Sequence, residues 1–153
     1  MNIKFHLIPV VLFILIISCK ENEELDNTKP ELMVIKPAQC AYVDMADSIL
    51  EFEADVSDDV ELKSYKIDIH NNFDHHTHGT DNTPCDFSPD KPPVNPWLYN
   101  STWDLSGQKT SHINHQEILI PLDVDTGDYH MMVYVTDKSG NQSWKAIGFK
   151  LVK

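Results

Sequence analysis

At 153 residues, the chain is long enough for one domain with an adequate hydrophobic core, and too short for two once its N-terminal segment is set aside. Its 24 acidic residues outnumber its 12 cationic residues, which are all lysines, and give a formal net charge of −12. So negative a field repels nucleic acid and anionic membrane surfaces, and it favours cations and cationic partners. Taken alone, the acidity is explained more simply as a means of keeping the protein soluble.

The first element is an apolar run over residues 7–17, "LIPVVLFILII". A helix needs roughly 20 apolar residues to cross a bilayer, so this shorter run with Pro9 predicts a signal peptide over residues 1–18 and not an anchor. The ending "LIISC" resembles a bacterial lipobox, which predicts that Cys19 is lipidated and begins the mature protein. A plain secretory peptide cut near Ser18 is the alternative.

Residues 19–30, "CKENEELDNTKP", are polar and end in proline, which is the composition of a flexible tether before a domain over residues 31–153. A lysine and acidic residues directly after a lipidated cysteine resemble the surface-export signal of Bacteroidetes lipoproteins. This resemblance implies an outer-membrane lipoprotein exposed at the cell surface. A charged tether that faces the periplasm is the alternative.

The remaining chain shows the period-two alternation of β-strands, and no stretch keeps a helical period. Six strands are predicted in the segments "ELMVIKP" (31–37), "SILEFEADVSD" (48–58), "LKSYKIDIH" (62–70), "EILIPLD" (117–123), "GDYHMMVYVTD" (127–137) and "KAIGFKLV" (145–152). Turn residues between most of these segments predict an all-β protein, an antiparallel β-sandwich.

The segment "DTGDY" (125–129) has the arrangement of the tyrosine corner at the start of strand F in immunoglobulin-like and fibronectin-like domains. Aligned on this corner, the six segments become strands A, B, C, E, F and G. Residues 71–111 are then a connection of about 40 residues between C and E, a length that is uncommon without a function or disorder. The sequence therefore predicts an immunoglobulin/fibronectin-like antiparallel β-sandwich with a long inserted loop.

Two cysteines remain after Cys19, and outside the cytoplasm Cys40 and Cys85 are expected to form a disulfide. Cys40 falls in the turn between strands A and B, and Cys85 falls in the long connection after strand C. Both lie at the same pole of the predicted sandwich, so the bridge would hold the connection there. Two separate buried thiols are the alternative.

Histidines are concentrated in "HNNFDHHTH" (70–78), at the end of predicted strand C. His70 is the last outward residue of that strand and His130 is the first outward residue of strand F, so the two are expected side by side. If the chain after His70 is extended, one face of it carries Asp74, His76 and His78, whereas His75 faces away. His112 and His115 precede strand E and are expected to be solvated surface residues.

Neutral imidazoles are preferred ligands of Zn²⁺, Cu²⁺ and Ni²⁺, so this convergence predicts one transition-metal ion, with Zn²⁺ expected and Cu²⁺ or Ni²⁺ as alternatives. The predicted ligands are His70, His76, His78 and His130, with Asp74 as a further ligand or as a hydrogen-bond acceptor behind a ligand. The ion is expected to leave as the pH falls through about 6 to 5, because protonated imidazole cannot ligate. A run such as "HHTH" alone is a weak signal, since clustered surface histidines bind metals adventitiously.

Other functions are less well supported by the sequence. No phosphate-binding glycine loop, nucleophile elbow or helical layer is found, so the protein is not expected to be an enzyme. Aspartates of "DVSDD" (55–59) and "DVDTGD" (123–128) are interpreted as turn residues, with calcium binding as the alternative. A second function is a glycan- or protein-binding module, in which exposed rings of the long loop stack on a ligand: Trp97, Tyr99 and Trp103. Packing of these rings against the sandwich is equally consistent with the sequence.

The lipobox, "YKIDIHNNFDHHTHG" (65–79) and "GDYHMMVYVTDKSGNQS" (127–143) together resemble a Bacteroidetes lipoprotein family known as domain of unknown function 4625, from Pro30 onward. That family is immunoglobulin-like, and the resemblance implies the same fold and location for this chain. It implies no activity. The expected partners are the membrane, through the lipid on Cys19, and an outer-membrane transporter or another surface protein, but no nucleic acid.

Overall fold

The computed structural model describes residues 25–78 and 85–153, and within these ranges the chain forms eight β-strands and no α-helix. The predicted signal peptide (1–18), the predicted lipidation site Cys19 and the predicted tether up to residue 24 lie outside the described residues. In the part of the chain that is described, no helix is both long enough and apolar enough to pass through a membrane.

The strands, numbered in chain order, are β1 (Glu31–Lys36), β2 (Ala41–Asp44), β3 (Ile49–Ser57), β4 (Leu62–Asn71), β5 (Tyr99–Asp104), β6 (Thr110–Leu119), β7 (Gly127–Asp137) and β8 (Gln142–Val152). One sheet has the order β1-β3-β6 and the other has the order β2-β8-β7-β4-β5. All neighbours are antiparallel except β2 and β8, which are parallel. This order is that of an immunoglobulin-like sandwich, so the predicted fold is confirmed.

The core consists of the inward side chains of the alternating strands. Successive residues of a strand point to opposite faces, and the buried faces of β3, β4 and β7 carry Leu50, Phe52, Ala54, Val56, Tyr65, Ile67, Ile69, Tyr129, Met131, Val133 and Val135. Burial of each large apolar side chain contributes about 1.5–3 kcal/mol to folding. The opposite positions of β4 and β7, which include His70 and His130, lie on the outer face of the five-stranded sheet.

Two strands were not predicted, and two predicted strands begin earlier than expected, β8 by three residues and β6 by seven. β2 is a short parallel strand within the connection between β1 and β3, and β5 is an edge strand that pairs with β4. β6 begins at Thr110 and not at residue 117, because its polar first half, "TSHINHQ", pairs with β3 despite its weak hydrophobic alternation. The connection between β4 and β5 therefore covers residues 72–98 and is shorter than predicted, and its described parts, residues 72–78 and 85–98, contain no strand.

The tyrosine corner is confirmed and holds the end of this connection. Tyr129 Oη donates a hydrogen bond to the carbonyl oxygen of Asp125 at 2.6 Å and accepts one from the backbone N–H of Trp97 at 3.1 Å. Burial raises the pKa of the Tyr129 hydroxyl, which therefore remains protonated and able to donate. The residues that lead into β5 are thus hydrogen-bonded to Tyr129 near the start of β7.

The predicted disulfide between Cys40 and Cys85 is confirmed, with the two Cα atoms 5.3 Å apart. It lies over β8 at Gly148, where a Cβ atom would be 3.3 Å from Cys85 Sγ and 3.9 Å from His130 Cδ2. Glycine leaves the space that the disulfide fills, and Gly148 also receives a hydrogen bond at its carbonyl oxygen from the Cys40 N–H at 2.8 Å. The disulfide therefore lies on the same face of the sheet as His130 and close to it.

Candidate metal centre

His70 and His130 are direct cross-strand neighbours, as the sequence predicted. The register of β4 and β7 pairs His70 with His130, and their ring centroids are 5.8 Å apart. Both rings lie on the outer face of the sheet, yet His130 is only 5% exposed. It is buried because the segment after β4 turns back over the sheet and places further rings against it.

The turn that brings this segment back is fixed by its backbone and by one aromatic ring. The N–H of Asn72 donates to the carbonyl oxygen of Asp128 at 2.7 Å, and the N–H of His75 donates to the carbonyl oxygen of Asn72 at 3.3 Å. Phe73 is buried against Tyr129, with ring centroids 5.4 Å apart. His75 has a left-handed backbone with φ 54°, which reverses the chain direction. The residues that follow are thereby directed toward β4 and β7.

His75 faces away from the histidine cluster. Its Nδ1 atom is 2.8 Å from Asp90 Oδ1, and its ring stacks on Phe87 at a centroid distance of 4.5 Å. The expectation from the alternating sequence was the same. His75 therefore contributes to the packing of the connection and not to the candidate site.

Four imidazoles meet at one point on the outer face: His70, His76, His78 and His130. His70 Nε2 is 3.0 Å from His78 Nε2 and 3.3 Å from His76 Nε2, and one nitrogen of every ring lies within 4.8 Å of the others. Zinc bound to four histidines at 2.0–2.1 Å would hold its nitrogens about 3.3 Å apart, the edge of a tetrahedron. The residues present therefore form a group that could hold a metal ion.

Two carboxylates orient the rings so that Nε2 faces this point. Asp74 Oδ1 lies 2.6 Å from His76 Nδ1, and Asp68 Oδ1 lies 3.2 Å from His70 Nδ1. A carboxylate accepts a hydrogen bond from Nδ1–H, and in that tautomer the lone pair of the ring is on Nε2. Two such lone pairs cannot hydrogen-bond to each other at 3.3 Å. The two lone pairs repel each other, and a cation between them would attract both.

The electrostatic surroundings keep the buried part of the site neutral. Burial is the main cause that lowers the pKa of His130, to about 4, and the neighbouring imidazoles lower it further. Burial, followed by His70 and His76, also lowers the pKa of His78. Among the described residues, His130 Nδ1 has no hydrogen-bond partner although it is buried. Both rings are therefore in the form that ligates a metal at neutral pH.

Asp74 has the role of acceptor that the sequence offered as one of two alternatives. Its hydrogen bond to His76 is the main cause that lowers the pKa of its own carboxyl group. Asp68 was not predicted, although it lies two residues before His70 and so shares the outer face of β4. Asn100 of β5 donates a hydrogen bond from Nδ2 to Asp68 Oδ2 at 2.6 Å and fixes the second oxygen. β5 therefore supports the site from its edge.

His112 and His115 lie within β6 in the other sheet, away from the cluster. His112 is exposed, and its hydrogen bond to Asp55, at 2.7 Å, raises its pKa. The prediction of a solvated His115 is wrong, because its ring is half-buried against Trp103 and hydrogen-bonds to Tyr65 Oη. The early start of β6 explains the error, since it places these residues in a strand and not before one.

The three aromatic residues of the second function pack in the core or against it. Trp97 is only 2% exposed, so the expectation of an exposed ring that stacks on a ligand is wrong for this residue. Tyr99 and Trp103 are half-buried and pack against the core, and Trp103 stacks on Tyr65 at 4.9 Å. Packing is the role that the structure gives to Trp97.

Comparison with known proteins identifies a family but supplies no activity. A family model described as "Domain of unknown function (DUF4625)" matches residues 17–152. No curated protein matches this chain. Among solved structures, a CARDB domain from Pyrococcus furiosus, crystallised in complex with di-metal ions, is similar with a TM-score of 0.38 and 18% sequence identity. The alignment covers 87% of this chain and 100% of that one.

Proposed function

The chain belongs to the family of the domain of unknown function 4625, and from its histidine cluster we propose that it binds one transition-metal ion, Zn²⁺, without catalysing a reaction. The ligands are the imidazoles of His70, His76, His78 and His130. The observation that carries the proposal is the convergence of these rings with the Nε2 atoms of His70 and His76 only 3.3 Å apart while both Nδ1 atoms face carboxylates.

The ligand chemistry selects the class of ion. Nitrogen donors suit Zn²⁺, Cu²⁺ and Ni²⁺, whereas Ca²⁺ and Mg²⁺ require oxygen. The nearest carboxylates, Asp68 and Asp74, are engaged by Nδ1 atoms on the far sides of their rings. Four imidazoles around a point suit the tetrahedral geometry of Zn²⁺, while Cu²⁺ prefers a square arrangement. Zinc is therefore the ion that fits best.

A binding role, not a catalytic one, agrees with the number of ligands. Catalytic zinc sites keep one position open for water or substrate, whereas four protein ligands complete a tetrahedron. His130 forms the buried base of the site, and His70 and His76 are half-buried at its solvent side. An ion could enter and leave past these two rings, as storage, sensing or delivery of a metal would require.

The location in the cell envelope is part of the same proposal. It is supported by the lipobox-like ending at Cys19 and by the charged segment that follows. Lipid on Cys19 would attach the protein to the outer membrane, with the domain at the cell surface and the periplasmic side as the alternative. An outer-membrane transporter or another surface protein is the partner that such a protein would serve.

Calorimetric titration with Zn²⁺ of protein purified without a histidine tag tests the proposal. Wild type should bind one ion, and His130→Ala and His76→Ala should each lose at least about tenfold in affinity, since changes even behind the ligands typically cost 10 to 100-fold. His112→Ala, which removes an exposed histidine from the other sheet, is the matched control and should bind as wild type does. Unchanged affinity in His130→Ala would overturn the site and leave an adventitious "HHTH" cluster.

A further inference from the structure

A second group of chemically active side chains lies at the opposite pole of the sandwich. Asp26 precedes β1, Asp58 directly follows β3, and Asp137 is the last residue of β7. One oxygen atom from each of the three lies within 4.8 Å of the others. Along β7, seven residues separate His130 from Asp137, or about 23 Å at roughly 3.3 Å per residue. This acidic cluster is therefore independent of the histidine site.

Two of the three aspartates of the acidic cluster are buried to a degree that is rare for aspartate, and Asp26 is partly buried. Asp137 is 0% exposed and Asp58 is 8% exposed. Charged groups are seldom buried in proteins unless they are paired or coordinate a metal ion. The sequence interpreted Asp58 as a turn residue, and its Oδ1 atom does accept hydrogen bonds from the N–H groups of Val60 and Glu61 at 3.0 and 2.7 Å. The turn uses only one of its two oxygens.

Two buried oxygens of the acidic cluster have no hydrogen-bond partner in the described part of the chain: Asp26 Oδ2 and Asp58 Oδ2. The other oxygen of Asp26 accepts from the N–H of Thr28 at 2.9 Å, as the other oxygen of Asp58 serves its own turn. An unpaired buried carboxylate oxygen is costly, and this cluster has two. Their position beside Asp137 leaves a ligand as their natural partner.

Lysines near the acidic cluster are engaged elsewhere. Lys138 Nζ lies 2.8 Å from Glu61 Oε2, and Lys109 Nζ donates to the carbonyl oxygen of Asp59 at 2.6 Å. Among the ion pairs between described residues, none joins a lysine to a carboxylate of the cluster. Carboxylates held this close together and largely buried repel one another and lose hydration. A divalent cation would offset both effects.

We propose that Asp26, Asp58 and Asp137 bind a calcium ion. The three aspartates offer only oxygen atoms as ligands, a set that suits a hard cation better than the softer ions that prefer imidazole. Calcium accepts six to eight oxygens in flexible geometry, including water, whereas Mg²⁺ demands a near-ideal octahedron. Carboxylates contributed by three separate segments, one of them the N-terminal segment, suit the more adaptable ion.

Asn141, in the turn between β7 and β8, connects the acidic cluster to the N-terminal segment. Its Nδ2 atom donates to Asp137 Oδ2 at 2.7 Å and to the carbonyl oxygen of Asp26 at 3.0 Å. Its backbone N–H donates to Asp137 Oδ1 at 2.8 Å. Calcium would strengthen the same connection and hold the N-terminal segment against the ends of β3 and β7. Binding would therefore stabilise the fold by mass action.

The test is a titration of the full domain, stripped of metal with a chelator that is then removed, with CaCl₂ by calorimetry and by thermal unfolding. Wild type should bind one Ca²⁺, with an affinity of about 10⁻⁴ to 10⁻³ M as in extracellular modules, and should melt at a higher temperature in Ca²⁺. Asp26→Asn and Asp58→Asn should each weaken binding at least tenfold. Asp59→Asn removes the same charge from an exposed neighbour and should bind as wild type does.

Asp26 lies outside the strands, so Asp26→Asn keeps the test valid if Asp58→Asn fails to fold. Zinc titration of each variant reports separately on the histidine pole, because neither substitution touches it. Absence of a calcium signal in wild type, or equal calcium affinity in Asp26→Asn and wild type, would overturn the proposal. Mg²⁺ binding as tight as that of Ca²⁺ would overturn the choice of calcium.

Discussion

Asp68 and Asp74 determine which nitrogen of two histidines is free to ligate. Each accepts a hydrogen bond from Nδ1–H of its histidine, so that the Nε2 atoms of His70 and His76 face the centre of the cluster. Carboxylates behind histidine ligands raise the basicity of the ring and fix its orientation. His75 lies between Asp74 and His76 in sequence but points away, because its φ of 54° reverses the chain. Backbone conformation, and not closeness in sequence, selects the ligands.

His130 should make the metal-free protein sensitive to mild acid. The pKa of His130 is lowered from 6.5 to about 4 in the folded state. Between pH 6.5 and 4, His130 is therefore protonated in the unfolded chain but neutral in the folded protein. Titration of His130 therefore does not change the free energy of unfolding above pH 6.5. Between pH 6.5 and 4 it lowers this free energy by on the order of 3 kcal/mol. Urea unfolding in the presence of a chelator, measured from pH 7 to 4, checks the loss.

The control for this measurement is His130→Asn, which cannot titrate. Carboxylates elsewhere in the protein contribute equally to the pH dependence of both proteins, so the difference between the two curves isolates His130. The variant should lose less stability than wild type over this range. Parallel curves would show that burial does not disfavour the charged form of His130.

At the scale of strands and loops, the site combines rigid and irregular elements. His70 and His130 are fixed by the register of β4 and β7, whereas His76 and His78 depend on the path of the connection after β4. Sites on strands are held more precisely than sites on loops. The connection is fastened by the buried ring of Phe73, by the tyrosine corner and by the disulfide, which together compensate for its lack of regular structure.

Removal of the disulfide should weaken both the fold and the site. The bridge closes a loop with a sequence separation of 45, and bridges over such loops typically contribute about 2–4 kcal/mol. The double variant Cys40→Ser/Cys85→Ser should therefore unfold at lower urea concentration. It should also bind Zn²⁺ more weakly, because Cys85 fastens the connection that carries His76 and His78 beside β8.

Non-reducing peptide mapping of wild type serves as the control, since it should recover Cys40 and Cys85 in one linked fragment. Zinc titration of Cys40→Ser/Cys85→Ser is performed without urea, under conditions in which its circular dichroism spectrum matches that of wild type and the variant is therefore folded. A variant as stable as wild type, with equal zinc affinity, would show that the connection is held without the bridge.

The sequence predicted the strands whose apolar residues alternate, and it missed those that are polar or short. β3, β4, β7 and β8 show a clear period of two, and the neighbouring positions of His70 and His130 followed from that pattern and the tyrosine corner. β5, "YNSTWD", lies at a sheet edge with only one half-buried face, so it carries too little apolar signal. The contact of Asp68 with His70 could have been predicted from their spacing of two within β4, whereas the support of Asp68 by Asn100 could not, because it exists only when β5 pairs with β4.

On the scale of the whole molecule, the sandwich separates two chemically different poles. Nitrogen ligands gather where the connection after β4 covers the sheet, and oxygen ligands gather where the N-terminal segment meets the ends of β3 and β7. The segment that leads from the candidate lipid site at Cys19 therefore reaches the domain at the acidic pole.

Replacement of Cys19, the predicted lipidation site, should change the location of the protein without changing its metal binding. Cys19→Ala removes the thiol that a lipid would modify, so the protein should move from the membrane fraction to the soluble fraction of the cell envelope. Zinc affinity should remain that of wild type, because every predicted ligand lies in or beside β4 and β7. Cell fractionation and zinc titration of the purified variant check the two halves separately. Membrane fractionation that persists in Cys19→Ala would contradict lipidation at this residue and favour another mode of attachment, while leaving the histidine site untouched.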